Sequence, residues 1–135
     1  MLTLNSSGQG LTSPVTSLAV DRGGGYIYGA DPGQQEAVSW SVNSNGTLNP
    51  LPFSAPRNGP FTAIAAPIGA GIFAITTDGY IWSLWPGSLV GLYSCPVGNS
   101  PSAVAAEAGG RFVYVANGGD NTLLGFATNT CLPVN

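Results

Sequence analysis

Short apolar segments, separated by turn-forming residues, recur along the chain. Each copy begins with a small apolar segment, continues through a glycine-rich gap of constant length and ends in a second apolar segment. The three pairs of segments are 16–20 with 25–31, 62–66 with 71–77, and 102–106 with 111–117. The copies begin 46 and then 40 residues apart. Self-similarity at this spacing predicts one supersecondary unit per copy.

Two further segments complete each unit. A third segment occupies 38–42, 80–84 and 124–128, and a fourth follows at 47–51 and 89–93. The segments are rich in Val, Ile, Tyr, Phe, Trp and Thr, which strands favour, and none shows a sustained helical repeat. Asp, Asn and Gly separate the second and third segments and suit tight hairpins. Each unit is therefore predicted to form a four-stranded antiparallel sheet.

Four-stranded sheets at a spacing of 40–46 residues are typical of β-propeller blades. A two-sheet sandwich also has short, closely spaced strands, but it does not require a repeat of this length. We therefore predict an all-β chain with one domain over 1–135, made of a partial blade at 1–13 and blades at about 14–56, 57–99 and 100–135. Trp40 and Trp82 are expected to pack between neighbouring sheets.

Two stretches of the repeat carry a more specific motif. Residues 110–117 read Gly-Arg-Phe-Val-Tyr-Val-Ala-Asn, and residues 43–48 end in Asn-Gly-Thr-Leu. These stretches resemble the YVTN-type repeat of lactonase-like β-propellers. The resemblance covers roughly residues 11–135, and the second unit departs from it most, around 74–79. It implies a propeller fold that occurs both in sugar lactonases and in non-enzymatic surface proteins.

The number of predicted blades is too small for a closed ring, because propellers have about four to eight and this chain supplies about three. An open array exposes a strand edge and a blade face, and both favour association. We expect head-to-tail contact, in which the N-terminal strand of one copy completes the C-terminal blade of another, as a homo-oligomeric ring or a filament. The alternative is that missing sequence of a longer propeller completes the ring.

Charged residues form 7% of the chain, compared with about 25% in ordinary domains. The cations are Arg22, Arg57 and Arg111, the net charge is −3, and histidine is absent. Three scattered cations cannot neutralise a nucleic-acid backbone. Without histidine there is no Ser-His-Asp triad and no histidine metal site, so we assign no catalytic residue, metal or cofactor. No apolar run approaches the roughly 20 residues of a membrane span, and the first residues do not resemble a signal peptide.

Acidic residues recur in one hairpin of each unit. Asp31, Asp78 and Asp120 lie between the second and third segments, with Glu36 close by. Such loops gather on one face of a propeller, so these carboxylates are candidate ligands for a cation or a polyol. The alternative is turn chemistry, in which each carboxylate bonds its own backbone. Trp85, which precedes a Pro-Gly pair, is the tryptophan expected to be exposed and able to stack on sugars.

Arg57 lies in the connection 56–60 that enters an inner strand. Lactonase-like propellers place charged groups around the central mouth to polarise a lactone carbonyl, so the resemblance implies Arg57 as a binding candidate. The enzymes of that family also use histidine there, and this chain has none. Cys95 and Cys131 lie near the outer strands of adjacent units. A disulfide between them would fit a secreted protein, and two unpaired thiols are the alternative.

These features favour a non-enzymatic propeller module that serves as an extracellular or cell-surface scaffold and associates with itself. A sugar-lactone hydrolase and a carbohydrate-binding propeller are the alternative functions. The expected partners are further copies of the chain and a carbohydrate or small polar ligand. Neither nucleic acid nor a membrane is expected as a partner.

Overall fold

Twelve β-strands in three four-stranded sheets form the regular structure of the described residues. The computed structural model describes residues 1, 11, 13–51, 60–67, 69, 71–86, 88–89 and 91–130, with the backbone of 133–134. Within this part of the chain there is no helix. The prediction of an all-β chain is therefore confirmed, while the partial blade at 1–13 lies largely outside the described residues.

Each sheet is built from four consecutive strands that pair antiparallel in chain order. Sheet 1 contains β1 (Ser17–Val20), β2 (Tyr26–Asp31), β3 (Glu36–Val42) and β4 (Leu48–Pro50). Sheet 2 contains β5 (Phe61–Ala65), β6 (Ile72–Thr76), β7 (Tyr80–Leu84) and β8 (Gly91–Pro96). Sheet 3 contains β9 (Pro101–Ala106), β10 (Phe112–Asn117), β11 (Thr122–Ala127) and β12 (Pro133–Val134).

Sheet 2 lies between the other two, and a separate hydrophobic cluster fills each junction. We call the side of a sheet that is turned toward the next sheet in chain order its forward face, and the other side its rear face. The forward face of sheet 1 packs on the rear face of sheet 2 through Tyr28, Ala30, Ala37, Phe61, Ile64, Ile72, Ala74, Leu84 and Leu89. The forward face of sheet 2 packs on sheet 3 through Ala63, Phe73, Ile75, Ile81, Cys95, Val97, Val113, Val115 and Phe126.

The first strands of the sheets are also neighbours, since β1 contacts β5 and β5 contacts β9. Side chains join β1 to β5: the Thr16 hydroxyl donates to the Thr62 carbonyl at 2.9 Å, and the Ile64 amide donates to the Ser17 hydroxyl at 3.2 Å. First strands side by side, with sheets stacked face on face, are the radial arrangement of propeller blades. The described residues thus form three blades of an open ring, and the sandwich alternative is wrong.

The second unit differs from the sequence alignment by one residue. Asp31, Thr76 and Asn117 each end the second strand of their sheet and pair with the first residue of the third strand. An alignment by sequence, with gaps of constant length between the first and second segments, predicts Thr77 at this position. Nine residues separate the paired Ile64 and Ala74, whereas ten separate the equivalent pairs Leu18 with Gly29 and Val104 with Val115. Because side chains alternate along a strand, this difference decides which residues face which neighbour.

Residues at the same distance from the end of the second strand are structurally equivalent in the three sheets. On the forward faces, Tyr28 corresponds to Phe73 and Tyr114, and Ala37 corresponds to Ile81 and Leu123. On the rear faces, the equivalent first-strand residues are Leu18, Ile64 and Val104. Trp40 is equivalent to Leu84 rather than to Trp82 and lies on the rear face of sheet 1, away from sheet 2. Trp40 is buried on that face, and its packing between neighbouring sheets stays a prediction, whereas Trp82 does pack against the cluster between sheets 1 and 2.

Candidate functional site

The ends of the three sheets differ in chemistry. The hairpins β2–β3, β6–β7 and β10–β11 form one end, which we call the carboxylate end because it holds Asp31, Asp78 and Asp120. The hairpins β1–β2, β5–β6 and β9–β10 form the opposite end, together with the connections that follow β7 and β11. We call this second end the groove end, since an open groove crosses it.

At the carboxylate end, each aspartate already has hydrogen-bond donors. Asp31 accepts from the Ser13 hydroxyl and, at 3.1 Å, from the Gln34 amide. Asp78 accepts from the Thr76 hydroxyl. These are bonds within a turn or to the segment beside it, which is the usual structural role of Asp in turns. Across the described residues, no three acidic or thiol groups lie close enough together to hold a metal ion.

Asp120 accepts a hydrogen bond from a neighbouring connection instead of from its own turn. Its Oδ2 accepts from the Asn99 amide at 2.6 Å, which ties the β10–β11 hairpin to the segment joining sheets 2 and 3. The buried Asn117 amide donates to the Val97 carbonyl at 2.8 Å in the same segment. The packing here is so close that a Cβ on Gly79, at φ +94°, would lie 2.5 Å from the Gly98 carbonyl oxygen. The carboxylate end therefore joins neighbouring sheets, and its role as a ligand site stays a prediction.

At the groove end, the hairpins β1–β2 and β9–β10 fold in the same way. Asp21 and Glu107 occupy the same position, and their carbonyls accept from Gly24 at 2.9 Å and from Gly110 at 3.0 Å. Their carboxylates also bond backbone amides of the turn: Asp21 accepts from Tyr26 at 2.7 Å, and Glu107 from Arg111 at 2.9 Å. This role was not predicted, although both units have an acidic residue two positions before a glycine pair in the sequence.

The groove has a volume of about 1500 Å3 and is lined by all three sheets. Trp85, which follows β7, is 58% exposed, as the sequence predicted for this tryptophan. Tyr26 at the start of β2 is also exposed and stacks on Tyr28, with ring centroids 6.4 Å apart. Leu92 and Phe112 contribute further apolar surface. The groove therefore presents several aromatic side chains to solvent at one place.

Two arginines line the same groove, in different electrostatic settings. Arg111 forms an ion pair with Glu107 at 3.1 Å, and its guanidinium lies 5.5 Å from the centre of the Phe112 ring. The hydrogen bond from the Arg111 side chain lowers the pKa of Glu107 and raises the pKa of Arg111. Arg22 is exposed and makes no ion pair with the described residues. Asp21, the neighbour of Arg22 in the chain, lines the same groove and brings a negative charge next to it.

Cys95 lies on the forward face of sheet 2, is buried, and is disulfide-bonded. The other cysteine of the sequence, Cys131, lies outside the described residues. Arg57 lies outside them too, so its proposed place at the mouth of the ring stays a prediction. The described residues also contain no helix that is long and apolar enough to cross a membrane.

No known family model matches the chain, and no curated protein does so. Solved structures do match. A hydrazine synthase of Kuenenia stuttgartiensis is 12% identical with a TM-score of 0.73, over 98% of this chain and 38% of that one. A functionally unknown protein from Desulfotomaculum acetoxidans DSM 771 is 18% identical with a TM-score of 0.78, over 90% of this chain and 41% of that one.

These comparisons bear on the fold alone. The chain spans about two fifths of the length of the structures it matches. They are consistent with a β-propeller-like fold, which agrees with the stacked four-stranded sheets described above. The finer resemblance to the YVTN-type repeat of lactonase-like propellers stays a prediction, since no family model matches.

Proposed function

We propose that this protein is a non-enzymatic β-propeller scaffold that assembles with further copies of itself through its uncovered blade faces. One observation carries the proposal: the forward face of sheet 3, which we call the open face, is exposed, while the equivalent faces of sheets 1 and 2 are buried. Tyr114, Leu123, Ala103 and Ala105 form the open face.

The equivalent aromatic residues show the contrast most clearly. Tyr28 is 1% exposed beneath sheet 2, and Phe73 is 2% exposed beneath sheet 3. Tyr114, at the same place in sheet 3, is 39% exposed. The same repeat position therefore holds a large aromatic ring in all three blades, and only the third ring lacks a covering sheet within the described residues.

The neighbouring position on the third strand of each sheet shows the same difference in exposure. Ala37 and Ile81 are buried, whereas Leu123 is 72% exposed. An exposed leucine on its own needs no explanation. Here the leucine adjoins exposed alanines and a tyrosine, on a surface that continues the two junctions already formed. The occupant that fits such a surface is the rear face of another propeller blade.

Sheet 1 offers such a rear face. Leu18 is exposed on it, although its equivalent Ile64 in sheet 2 is buried. Val20 on the same strand is exposed as well. The open face of one copy can therefore take the rear face of sheet 1 of a second copy, so that the two different surfaces meet head to tail. Repetition of a heterologous contact gives a closed ring or a filament, depending on the rotation between copies.

The disulfide at Cys95 supports an extracellular or cell-surface setting for the scaffold. Disulfides persist in oxidising compartments and are rare in the cytosol. A low content of charged side chains, with no lysine, is compatible with that setting.

The proposal is tested with two charge substitutions that each disable one surface, Leu123→Glu on the open face and Leu18→Glu on the rear face. Sedimentation velocity should show concentration-dependent association for the unmodified chain and monomers for each variant alone. An equimolar mixture of the two variants should form a dimer and nothing larger, because each variant retains one intact surface. Tyr80→Glu, an exposed site outside both surfaces, is the matched control and should associate like the unmodified chain.

Two outcomes would overturn the proposal. An unmodified chain that stays monomeric at high concentration would show that the open face does not bind a second copy. A variant mixture that stays monomeric, although the unmodified chain associates, would place the contact elsewhere or make it symmetric.

A further inference from the structure

The turn between β3 and β4 carries a short motif that the scaffold function does not use. Residues 45–47 read Asn-Gly-Thr, one of two Asn-x-Ser/Thr sequences in the chain, and the other, at 5–7, lies outside the described residues. In secreted proteins such a sequence accepts an N-linked glycan when it lies in a surface loop. The motif occurs often by chance, so its surroundings in the fold decide whether it is a suitable acceptor.

The turn presents Asn45 at the surface. Asn45 is exposed, and so are the residues on either side of it. The Asn43 amide donates to the Thr47 carbonyl at 2.8 Å, and the Gly46 amide donates to the Asn43 carbonyl at 2.9 Å. Gly46 has φ +83°, a conformation that glycine adopts readily. A bulky group attached to Asn45 therefore meets no buried position in the turn.

The two ends of the Asn45 carboxamide differ in their hydrogen bonds. Its Oδ1 accepts from the Thr47 amide at 3.1 Å and from the Thr47 hydroxyl at 2.7 Å. Its Nδ2, the atom to which an N-linked glycan is attached, donates no hydrogen bond within the described part of the chain. Thr47 thus orients the carboxamide through its oxygen and leaves the nitrogen available.

Asn43, in the same turn, is a contrasting case. Its Nδ2 donates to the Thr47 hydroxyl at 2.9 Å, and its Oδ1 accepts from the Asn49 side chain at 2.9 Å. The residue two positions after Asn43 is Asn45, so Asn43 is not part of an acceptor motif. One turn therefore provides a candidate acceptor and a matched asparagine that is not one.

The turn also lies away from the inner strand that the proposed assembly uses. The strands of sheet 1 are ordered β1-β2-β3-β4, so the β3–β4 turn is at the opposite edge of the sheet from β1. The separation is about two to three strand spacings of about 4.8 Å each. A glycan on Asn45 should therefore leave Leu18 on β1 accessible to another copy.

We propose that Asn45 is an N-glycosylation site, an inference that rests on the extracellular setting of the proposed function. In the transfer, Nδ2 of Asn45 forms a bond to the anomeric carbon of an oligosaccharide carried on a lipid pyrophosphate. The bond from that carbon to the pyrophosphate oxygen breaks, its electron pair leaves with the pyrophosphate, and Nδ2 loses one proton. The secretory pathway supplies the lipid-linked donor and the transferase.

The test is peptide mapping of the full chain, expressed in eukaryotic cells behind a secretion signal. Trypsin cleaves after arginine and separates peptide 23–57, which contains the motif at 45–47, from peptide 1–22, which contains the motif at 5–7. Peptide-N-glycosidase in heavy-oxygen water labels each residue that carried a glycan, and a digest without the glycosidase corrects for spontaneous deamidation before Gly46. We expect the label at residue 45 of peptide 23–57.

Four variants assign the modification to the motif. Asn45→Gln and Thr47→Ala should each abolish the label on peptide 23–57. Thr47→Ser, which retains a hydroxyl, and Asn43→Gln, which changes the matched asparagine, should both keep it. Peptides are mapped after denaturation, so the result does not depend on assembly.

A secreted, disulfide-bonded chain without a glycan at residue 45 would overturn the site and leave the scaffold proposal standing. A label that persists in Thr47→Ala would overturn the assignment to this motif. Association of the chain only after removal of the glycan would contradict the placement of the site away from the assembly surfaces.

Discussion

Sheets 2 and 3 are built from the same repeat, yet their surroundings differ. Sheet 2 is covered on both faces, and every residue of β6 is buried. Among the described residues, sheet 3 is covered on its rear face only, so exposure changes along β10, where Val113 and Val115 are buried and Tyr114 is exposed. The burial of a blade residue therefore depends on the position of its blade in the array as much as on the residue type.

The largest effect is expected from matched truncations in the two sheets. Phe73→Ala should lower the free energy of unfolding by about 3–5 kcal/mol, because it leaves a cavity between packed sheets. Tyr114→Ala at the equivalent position should cost about 0.5 kcal/mol or less in the monomer, because no described sheet covers the ring. Urea denaturation at low protein concentration measures both. Similar losses for the two variants would contradict the comparison.

The disulfide of sheet 2 should have the next largest effect. Reduction should lower the free energy of unfolding by about 2–4 kcal/mol, because the crosslink restricts the unfolded chain. Denaturation with and without dithiothreitol measures the difference, and Cys95→Ala is the control that reductant should leave unchanged. Detection of two reactive thiols in the unfolded, unreduced protein would show that the bond is absent.

A smaller effect is expected where sheet 3 is tied to the segment that follows sheet 2. Asn117→Ala removes the bonds to the Val97 carbonyl and to the Thr122 hydroxyl and should cost about 1–3 kcal/mol, because the buried carbonyl loses its donor. Asn99→Ala is a useful comparison: Asn99 donates to Asp120 through its backbone amide, which the substitution retains. Chemical denaturation of both variants should separate them, and equal stabilities would show that the Asn117 bond contributes little.

The smallest effect on stability is expected from the exposed ion pair between Arg111 and Glu107 at the groove end. The hydrogen bond from Arg111 lowers the pKa of Glu107 in the folded state, so the pair stabilises the fold above the ordinary glutamate value of about 4.3. That stabilisation is lost as the pH falls through the lowered pKa. Glu107→Gln should therefore reduce the Tm slightly near about pH 7, and this reduction should shrink as the pH falls through the lowered pKa of Glu107. A difference that grows on acidification would contradict this assignment.

Some of the site could be predicted from residue type and local sequence. Trp85 was expected to be exposed because a Pro-Gly pair follows it, and the structure places it in the groove. The groove itself was not predicted, because the β1–β2 hairpin with Arg22 and Tyr26 and the connection after β7 with Trp85 line one space only when the sheets stack. The acidic turn residues Asp21 and Glu107 were missed as well, although their shared position before a glycine pair was a local signal.

The residues alone predict the elements of this protein: four short strands per unit, hairpins at the Asx and Gly positions, and blades repeated along the chain. These are local properties, since strand propensity and turn chemistry act over a few residues. Which residues of sheet 2 face which neighbour depends on the strand pairing, because one residue fewer lies between Ile64 and its partner Ala74 than between the equivalent pairs, and side chains alternate along a strand. Only the tertiary structure decided that Tyr114 and Leu123 stay exposed, since burial depends on a neighbouring sheet and not on the strand that carries the residue.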